Sequence, residues 1–261
     1  MYTEQQLTEQ LKKMGIRSTD TLIVHTSLKS VGKIDDHDEK SGADILLSAL
    51  RACVSDGLLL IPAFTFANIR QEPVFNVRTT MPCIGAVPCT AVKYANEAYD
   101  NGDRTVIRSL HPSHSVVAFG KTAQEYIKDD EKASTPTPMF GSVGKLLQND
   151  AKILLIGLGV MSTTFIHAVD EHLEPDGISA PYPITFTDYE GNVTKRFACN
   201  CQGPSGMYYV YEPYLEKSSA LTYGKLGDAE CRIILTQKCF EVVSATRETV
   251  FKPACLAASK R

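Results

Sequence analysis

The sequence predicts an α/β protein with a mixed, largely parallel central sheet flanked by helices, and three observations lead there. Residues 21–26, 58–61 and 152–160 are continuous apolar runs of strand length, the pattern of strands buried on both sheet faces. Stretches of helical period lie between them, so strands and helices alternate. Small-residue or glycine turns follow the first and third runs, at the strand ends where open α/β proteins keep their chemistry.

Taken in order, Thr3-x-x-Gln6 is a capping box ahead of a short helix with Leu7 and Leu11 on one side, and Gly15 ends it. After the strand at 21–26 comes Ser27-Leu28-Lys29-Ser30-Val31-Gly32, a turn whose backbone N–H groups could hold an anion or serve as an ordinary loop. The acidic run 35–39 reads as a solvated loop. Residues 42–55 form a helix with Ile45, Leu46, Ala49, Leu50 and Cys53 inward, and Asp56-Gly57 turns into the strand 58–61. This β-α-β unit makes a parallel pair the default. Residues 62–82 lack a period and read as an irregular, functional segment. A helix opens at Gly85-Ala86-Val87-Pro88 and runs to about Asn96, residues 116–119 are a strand, and helices start at Thr122 and Ser142. Residues 186–197 resemble a hairpin turning at Tyr189-Glu190-Gly191-Asn192, and 208–217 and 228–236 read as helices. No linker divides the chain, so 1–261 is expected as one domain, with 175–261 as a C-terminal subdomain.

Residues 162–174 are the most informative helix. At 100° per residue, Phe165, Ile166, Val169 and Leu173 gather on one face, and Thr163, His167, Asp170, Glu171 and Glu174 on the other. His167 and Asp170 are three apart and therefore neighbours. A carboxylate beside an imidazole fixes the tautomer and stabilises the cation, which makes the ring a better general base. A wet polar face would give the same pattern.

Composition narrows the classes. A net charge of −3 leaves no basic footprint, which argues against nucleic acid. The longest apolar runs are far short of the roughly 20 residues of a spanning helix, so no membrane insertion is expected. Met1-Tyr2-Thr3-Glu4 has neither a basic nor an apolar leader region, and the eight cysteines read as buried thiols, so a cytoplasmic setting is expected. Cys199-x-Cys201 lacks the second ligand pair of a zinc site, and no metal is expected. Gly157-x-Gly159-x-x-Ser162 lacks the third glycine of a dinucleotide loop and is read as a tight turn. His25 is read as a satisfied core ring.

Four motifs, in order and at matching spacing, resemble the antibiotic N-acetyltransferase family typified by aminoglycoside 3-N-acetyltransferase. They are His25-Thr26-Ser27-Leu28-Lys29-Ser30-Val31-Gly32; Gly85-Ala86-Val87-Pro88; Arg108-Ser109-Leu110-His111-Pro112-Ser113-His114-Ser115; and the strand and helix from Leu154 to Asp170. The resemblance implies the family's fold and acetyl transfer from acetyl-CoA, as co-substrate, to an amine without a covalent enzyme intermediate, and antibiotic resistance as its setting. It places His167 on the catalytic histidine and Asp170 on the carboxylate beside it. That carboxylate is usually Glu, so Glu171, one residue on, is an alternative, and Thr163 falls on the small polar residue before the histidine. It implies that coenzyme A lies along Ser27, Leu28, Lys29, Ser30, Val31, Arg108, Ser109, His111 and Ser115. The fork of Arg108 suits a phosphate.

The acceptor side departs from the family. Where some members carry acids, this chain has Asn68 and the pair Cys199 and Cys201, residues that would line the acceptor site without drawing in a polycation. The partners expected are coenzyme A and a small-molecule amine, either an aminoglycoside or a less charged one, with a homodimer left open. Two rivals stand beside this reading: a ping-pong transferase using Cys83 or Cys89, and a catalytically silent coenzyme A-binding module.

Overall fold

The computed structural model describes residues 1–35, 40–199 and 204–259. Its first helix, α1 (Glu4–Lys13), starts at the expected capping box: the Gln6 amide donates to Thr3 Oγ1 at 3.3 Å and the Thr3 amide to Gln6 Oε1 at 3.0 Å. A second box, Ser41 with Asp44, starts α2 (Gly42–Cys53) between β1 (Thr21–Thr26) and β2 (Leu58–Pro62). Next come α3 (Phe66–Gln71), β3 (Val74–Asn76), α4 (Ala86–Asp100), β4 (Val106–Arg108), β5 (Val116–Phe119) and α5 (Ala123–Ile127). Then follow β6 (Lys152–Ile156), α6 (Thr164–Leu173), β7 (Tyr182–Thr187), β8 (Val193–Ala198) and α7 (Glu212–Lys217). The hairpin β9 (Leu221–Leu226) and β10 (Ala229–Leu235) leads to α8 (Thr236–Thr246), a π-helical turn at Arg247–Phe251 and α9 (Lys252–Ala258).

Seven strands form the central sheet in the order β4-β5-β2-β1-β6-β10-β9. The mixed sheet is as expected. Its parallel part is the central trio, with β1 paired to β2 and β6, and both flanks are antiparallel. Each central strand feeds both faces. Ile23, Ile153 and Leu155 enter a core shared with Phe165 and Ile166 of α6, whereas Leu22, Val24, Leu154 and Ile156 enter one shared with α1 and α2. Fully burying such a side chain contributes about 1.5–3 kcal/mol, so a polar residue at any of these positions would cost the fold heavily. A smaller sheet, β3-β7-β8, packs Phe75 on Phe186 at 5.2 Å between ring centroids.

Several expected boundaries move. The third apolar run stops at Ile156 because Gly157 turns at φ +65°, where a Cβ would meet Ser30 Cβ at 2.4 Å. The missing side chain lets the loop after β6 approach the turn after β1 closely. Residues 62–82 are not irregular throughout: α3 and β3 lie within them, and β3 pairs in parallel with β7. The helix expected at 228–236 is strand β10, with Ala229, Cys231 and Ile233 buried and Glu230 exposed in alternation. From Ser142 only a 3-10 turn forms, Gly144–Leu146, and residues 208–217 split into a 3-10 turn, Ser205–Tyr211, and α7. Leu173, expected inward, is 42% exposed. Among the described residues no helix is long and apolar enough to cross a membrane.

Candidate active site

The ends of β1 and β2, the loop before β5 and the start of α6 surround a cavity of about 400 Å³. Parallel pairing of β2, β1 and β6 brings those strand ends together. Phe64, Phe66, Ile84 and Leu158 give the cavity apolar walls, and three imidazoles, His25, His114 and His167, line it with the hydroxyl residues Ser162 and Thr164. His114 lies between two rings, 4.9 Å from the centroid of Phe64 and 5.7 Å from that of Phe66.

His167 also borders a second cavity, of about 430 Å³, farther along the same face of α6. Its walls are Asp170, Glu171, Glu174, Ile178, Pro204 and residues of the C-terminal helical segment, including Arg247, Phe251, Lys252 and Leu256. The ring thus stands where two cavities meet. Its Nδ1 is 2.8 Å from the Tyr208 hydroxyl, and Nε2 has no hydrogen-bond partner among the described residues. Burial pushes its pKa down to about 4, partly opposed by the charge of Asp170. The ring is neutral at physiological pH.

Asp170 lies one helical turn from His167 but does not bond it directly. Its Oδ2 accepts the Tyr208 O–H at 2.7 Å, and its Oδ1 accepts Arg247 Nε–H at 2.8 Å. Arg247 also holds Glu174 and, at 3.3 Å, Glu248. Glu171, the alternative carboxylate, is turned away from the ring. It accepts bonds from the Thr135 hydroxyl, from the Thr137 amide at 2.8 Å and from the Thr137 hydroxyl at 3.1 Å, and so pins the 135–137 loop. Thr163 is 1% exposed and its hydroxyl has no partner among the described residues, so it packs inward while Ser162 and Thr164 face the cavity.

The residues expected along coenzyme A divide. Ser27 and Ser30 bond through their hydroxyls at 2.8 Å at the end of β1, Leu28 is half-buried and Lys29 exposed. The turn's amides are partly spent, with Ser27 N–H on Ile156 O and Ser30 N–H on Ser27 O. Val31 does not face a ligand: its side chain is fully buried in the core with α1 and α2. Arg108 is also a correction. It is wholly buried, and its guanidinium donates to the carbonyls of Val77, Thr80 and Ala63 and to Ser115 Oγ at 2.8–3.1 Å. Burial lowers its pKa to about 10. The fork is spent on backbone and cannot reach a phosphate. Ser115 in turn donates to Ala63 O, and Ser109 Oγ accepts the Val116 amide. His111 Nδ1 accepts the amides of Ser113 and His114, so its Nε2–H donates to Thr135 O at 2.9 Å. These four residues build the wall behind His114 rather than its surface.

On the acceptor side, Asn68 is exposed on α3 and donates to Met81 O at 2.9 Å. Cys199 is buried, which raises its thiol pKa, and Cys201 lies outside the described residues. The ping-pong rival gains nothing: Cys83 is exposed and bonded to Phe64 O, and burial raises the Cys89 thiol. His25, expected as a satisfied ring, lines the cavity with Nε2 unpartnered among the described residues, and burial lowers its pKa to about 4. Tyr208 and Arg247 carry no recognisable sequence signal, since they sit 41 and 77 residues from their partners on α6. Among the described residues no group of three or more His, Cys, Asp or Glu side chains could hold a metal.

A family model described as aminoglycoside 3-N-acetyltransferase matches residues 23–248. Aminoglycoside N(3)-acetyltransferase III from Salmonella sp is 30% identical over 186 residues, 64% of this chain and 59% of that protein. The chain's match therefore spans less than two thirds of that relative's length. The SPbeta prophage-derived aminoglycoside N(3')-acetyltransferase-like protein YokD of Bacillus subtilis (strain 168) is 24% identical over 247 residues, 88% of this chain and 87% of that protein. Among solved structures, AAC-IIIb in binary complex with CoASH aligns with a TM-score of 0.75 at 19% identity, covering 95% of this chain and 97% of the other. Aminoglycoside acetyltransferase AAC(3)-IVa, as a mutant in complex with a gentamicin, aligns with a TM-score of 0.77 at 22% identity, covering 95% and 89%. At these identities the structural likeness is one of fold.

Proposed function

The chain belongs to the aminoglycoside 3-N-acetyltransferase family, and from that premise we propose that it transfers the acetyl group of acetyl-CoA directly to an amine, with His167 as general base. The observation that carries this reading is the place of His167, neutral, with Nε2 unpartnered among the described residues, between two cavities. The cavity with Phe64, Phe66 and Leu158 suits the pantetheine arm, and the one between α6 and the C-terminal segment suits the acceptor. Nε2 takes the proton of the incoming ammonium group. The freed nitrogen bonds to the thioester carbon, the carbon–sulfur bond breaks, the nitrogen's surplus proton passes to the departing thiolate, and His167 releases the first proton to solvent. Such general base catalysis contributes roughly 10²–10⁴-fold. With the Ser27 amide already bonded, the hydroxyls of Thr26, Ser162, Thr164 and Ser205 on that cavity wall are candidate donors for the tetrahedral oxyanion.

The acceptor cavity favours an amine less charged than an aminoglycoside. Asp170 and Glu174 are already paired with Arg247, Lys252 lies 3.5 Å from Glu174, and Glu171 is tied to Thr135 and Thr137. A polycation would have to displace the protein's own cations to find a counter-charge. Ile178, Phe251 and Leu256 supply apolar surface for the body of such an acceptor.

The test is thiol release from acetyl-CoA across gentamicin-type compounds, small amino acids and singly charged arylalkylamines. Turnover should be fastest with a singly charged amine and fall by roughly 10²–10⁴-fold in His167→Ala. Tight coenzyme A binding without turnover of any amine would make the chain a binding module, and a gentamicin preference would overturn the acceptor class alone.

A further inference from the structure

We infer that Tyr208 is a positioning residue: its hydroxyl links Asp170 to His167 and holds the ring in the tautomer with hydrogen on Nδ1. The inference rests on His167 as the general base and adds the group that orients it. A phenol oxygen has one hydrogen, and here it faces two acceptor-capable neighbours, Asp170 Oδ2 at 2.7 Å and His167 Nδ1 at 2.8 Å. The carboxylate, ion-paired through its other oxygen to Arg247, can only accept, so the phenol hydrogen belongs to Asp170. His167 must then supply its own hydrogen on Nδ1 and donate it to the phenol oxygen. Nε2 is left with its lone pair for the proton of the acceptor amine. In the other tautomer, Nδ1 and Asp170 would compete for a single hydrogen.

The hydroxyl is held in place. Tyr208 is fully buried, its ring 5.5 Å from Phe251 and 6.1 Å from Tyr211 between centroids and edge-on to His167 at 5.0 Å. Asp170 spends one oxygen on Arg247 and the other on Tyr208, and the Tyr208 hydroxyl bridges it to the ring. When the ring takes a proton, the same chain of bonds presents the carboxylate's charge to the imidazolium.

Two readouts test this. In protein labelled with ¹⁵N-histidine, the ring nitrogens of His167, assigned by loss of their signals in His167→Gln, should report the Nδ1–H tautomer. In Tyr208→Phe the Nε2–H form should gain, with kcat falling about 10²-fold and KM for acetyl-CoA changing by less than about threefold. Adding Asp170→Glu to Tyr208→Phe lets the longer acid reach Nδ1 directly and should restore at least about tenfold of the lost kcat, a recovery that a merely structural tyrosine would not show. An Nε2–H tautomer in the wild-type protein overturns the proposal, and that measurement decides even if Tyr208→Phe does not fold. Tyr208→Phe with kcat within about twofold of wild type, or no recovery in the double variant, also overturns it. An Nδ1–H ring in a protein that turns over no amine would count against the base assignment and leave the relay standing.

Discussion

Arg108 carries its charge to the middle of the molecule, where its neighbours are three carbonyl oxygens and a hydroxyl, with the Phe75 ring 4.9 Å away. Four hydrogen bonds in a fixed fork tie together residues 63, 77, 80 and 115 behind the candidate site. Lysine keeps the charge but not the fork, and some of those carbonyls would lose their donor. Arg108→Lys should therefore cost about 2–4 kcal/mol of stability in urea unfolding, while coenzyme A affinity of the folded protein stays within about threefold. A tenfold loss of affinity with unchanged unfolding would restore the phosphate role. Sequence alone cannot separate these cases. Arg-Ser-x-His is the same string whether the fork meets phosphate or backbone, and only the burial of the 108–115 segment decides. His167 and Asp170 are legible because they share one helix; Tyr208, which joins them, is not.

Among the elements, those whose burial is dictated locally are readable. The capped helices α1 and α2 and the strands β1, β2 and β6 combine a start signal or an apolar run with a length that fits one element type. β10 is not readable in this way. Ile233-Ile234-Leu235 is a short apolar run that helix and strand accommodate equally, and the pairing of this segment with β6, far away in sequence, settles the matter. The C-terminal segment is likewise defined by what it touches. Arg247 begins the π-helical turn and joins it to α6 through Asp170 and Glu174, with side-chain exposures of 9% for the arginine and 13% for Asp170. Removing one partner of so buried a pair strands the other charge. Arg247→Met should lower stability by about 2–4 kcal/mol and loosen the C-terminal end first. Amide hydrogen exchange should then quicken at least about tenfold in α9 while α1 and β1 keep their protection. Equal protection of α9 in both proteins would show that it is held by its apolar contacts alone.

At the scale of the whole molecule, the sheet gathers histidines from distant parts of the chain into one buried region, and that gathering has a pH signature. Burial lowers the pKa of His25 and His167 to about 4, lowers that of His111, and puts His114 well below the ordinary value. Unfolding restores each ring to about 6.5. Between pH 6.5 and 4 the unfolded chain thus binds more protons than the folded one, so stability must fall as the pH falls through this window and level off above it. Each ring contributes a slope of up to about 1.4 kcal/mol per pH unit, a large share of the roughly 5–15 kcal/mol that holds a typical domain together. Urea unfolding between pH 4 and 8 should show a plateau above about pH 7 and a steep decline below about pH 6. A flat profile would mean that the imidazoles are hydrated and charge freely in the folded protein. The same desolvation that weakens the fold in acid keeps His167 unprotonated at neutral pH. Loss of stability and loss of the base therefore have one physical origin, and activity in acid should end with unfolding rather than with a titration near the ordinary histidine pKa of about 6.5.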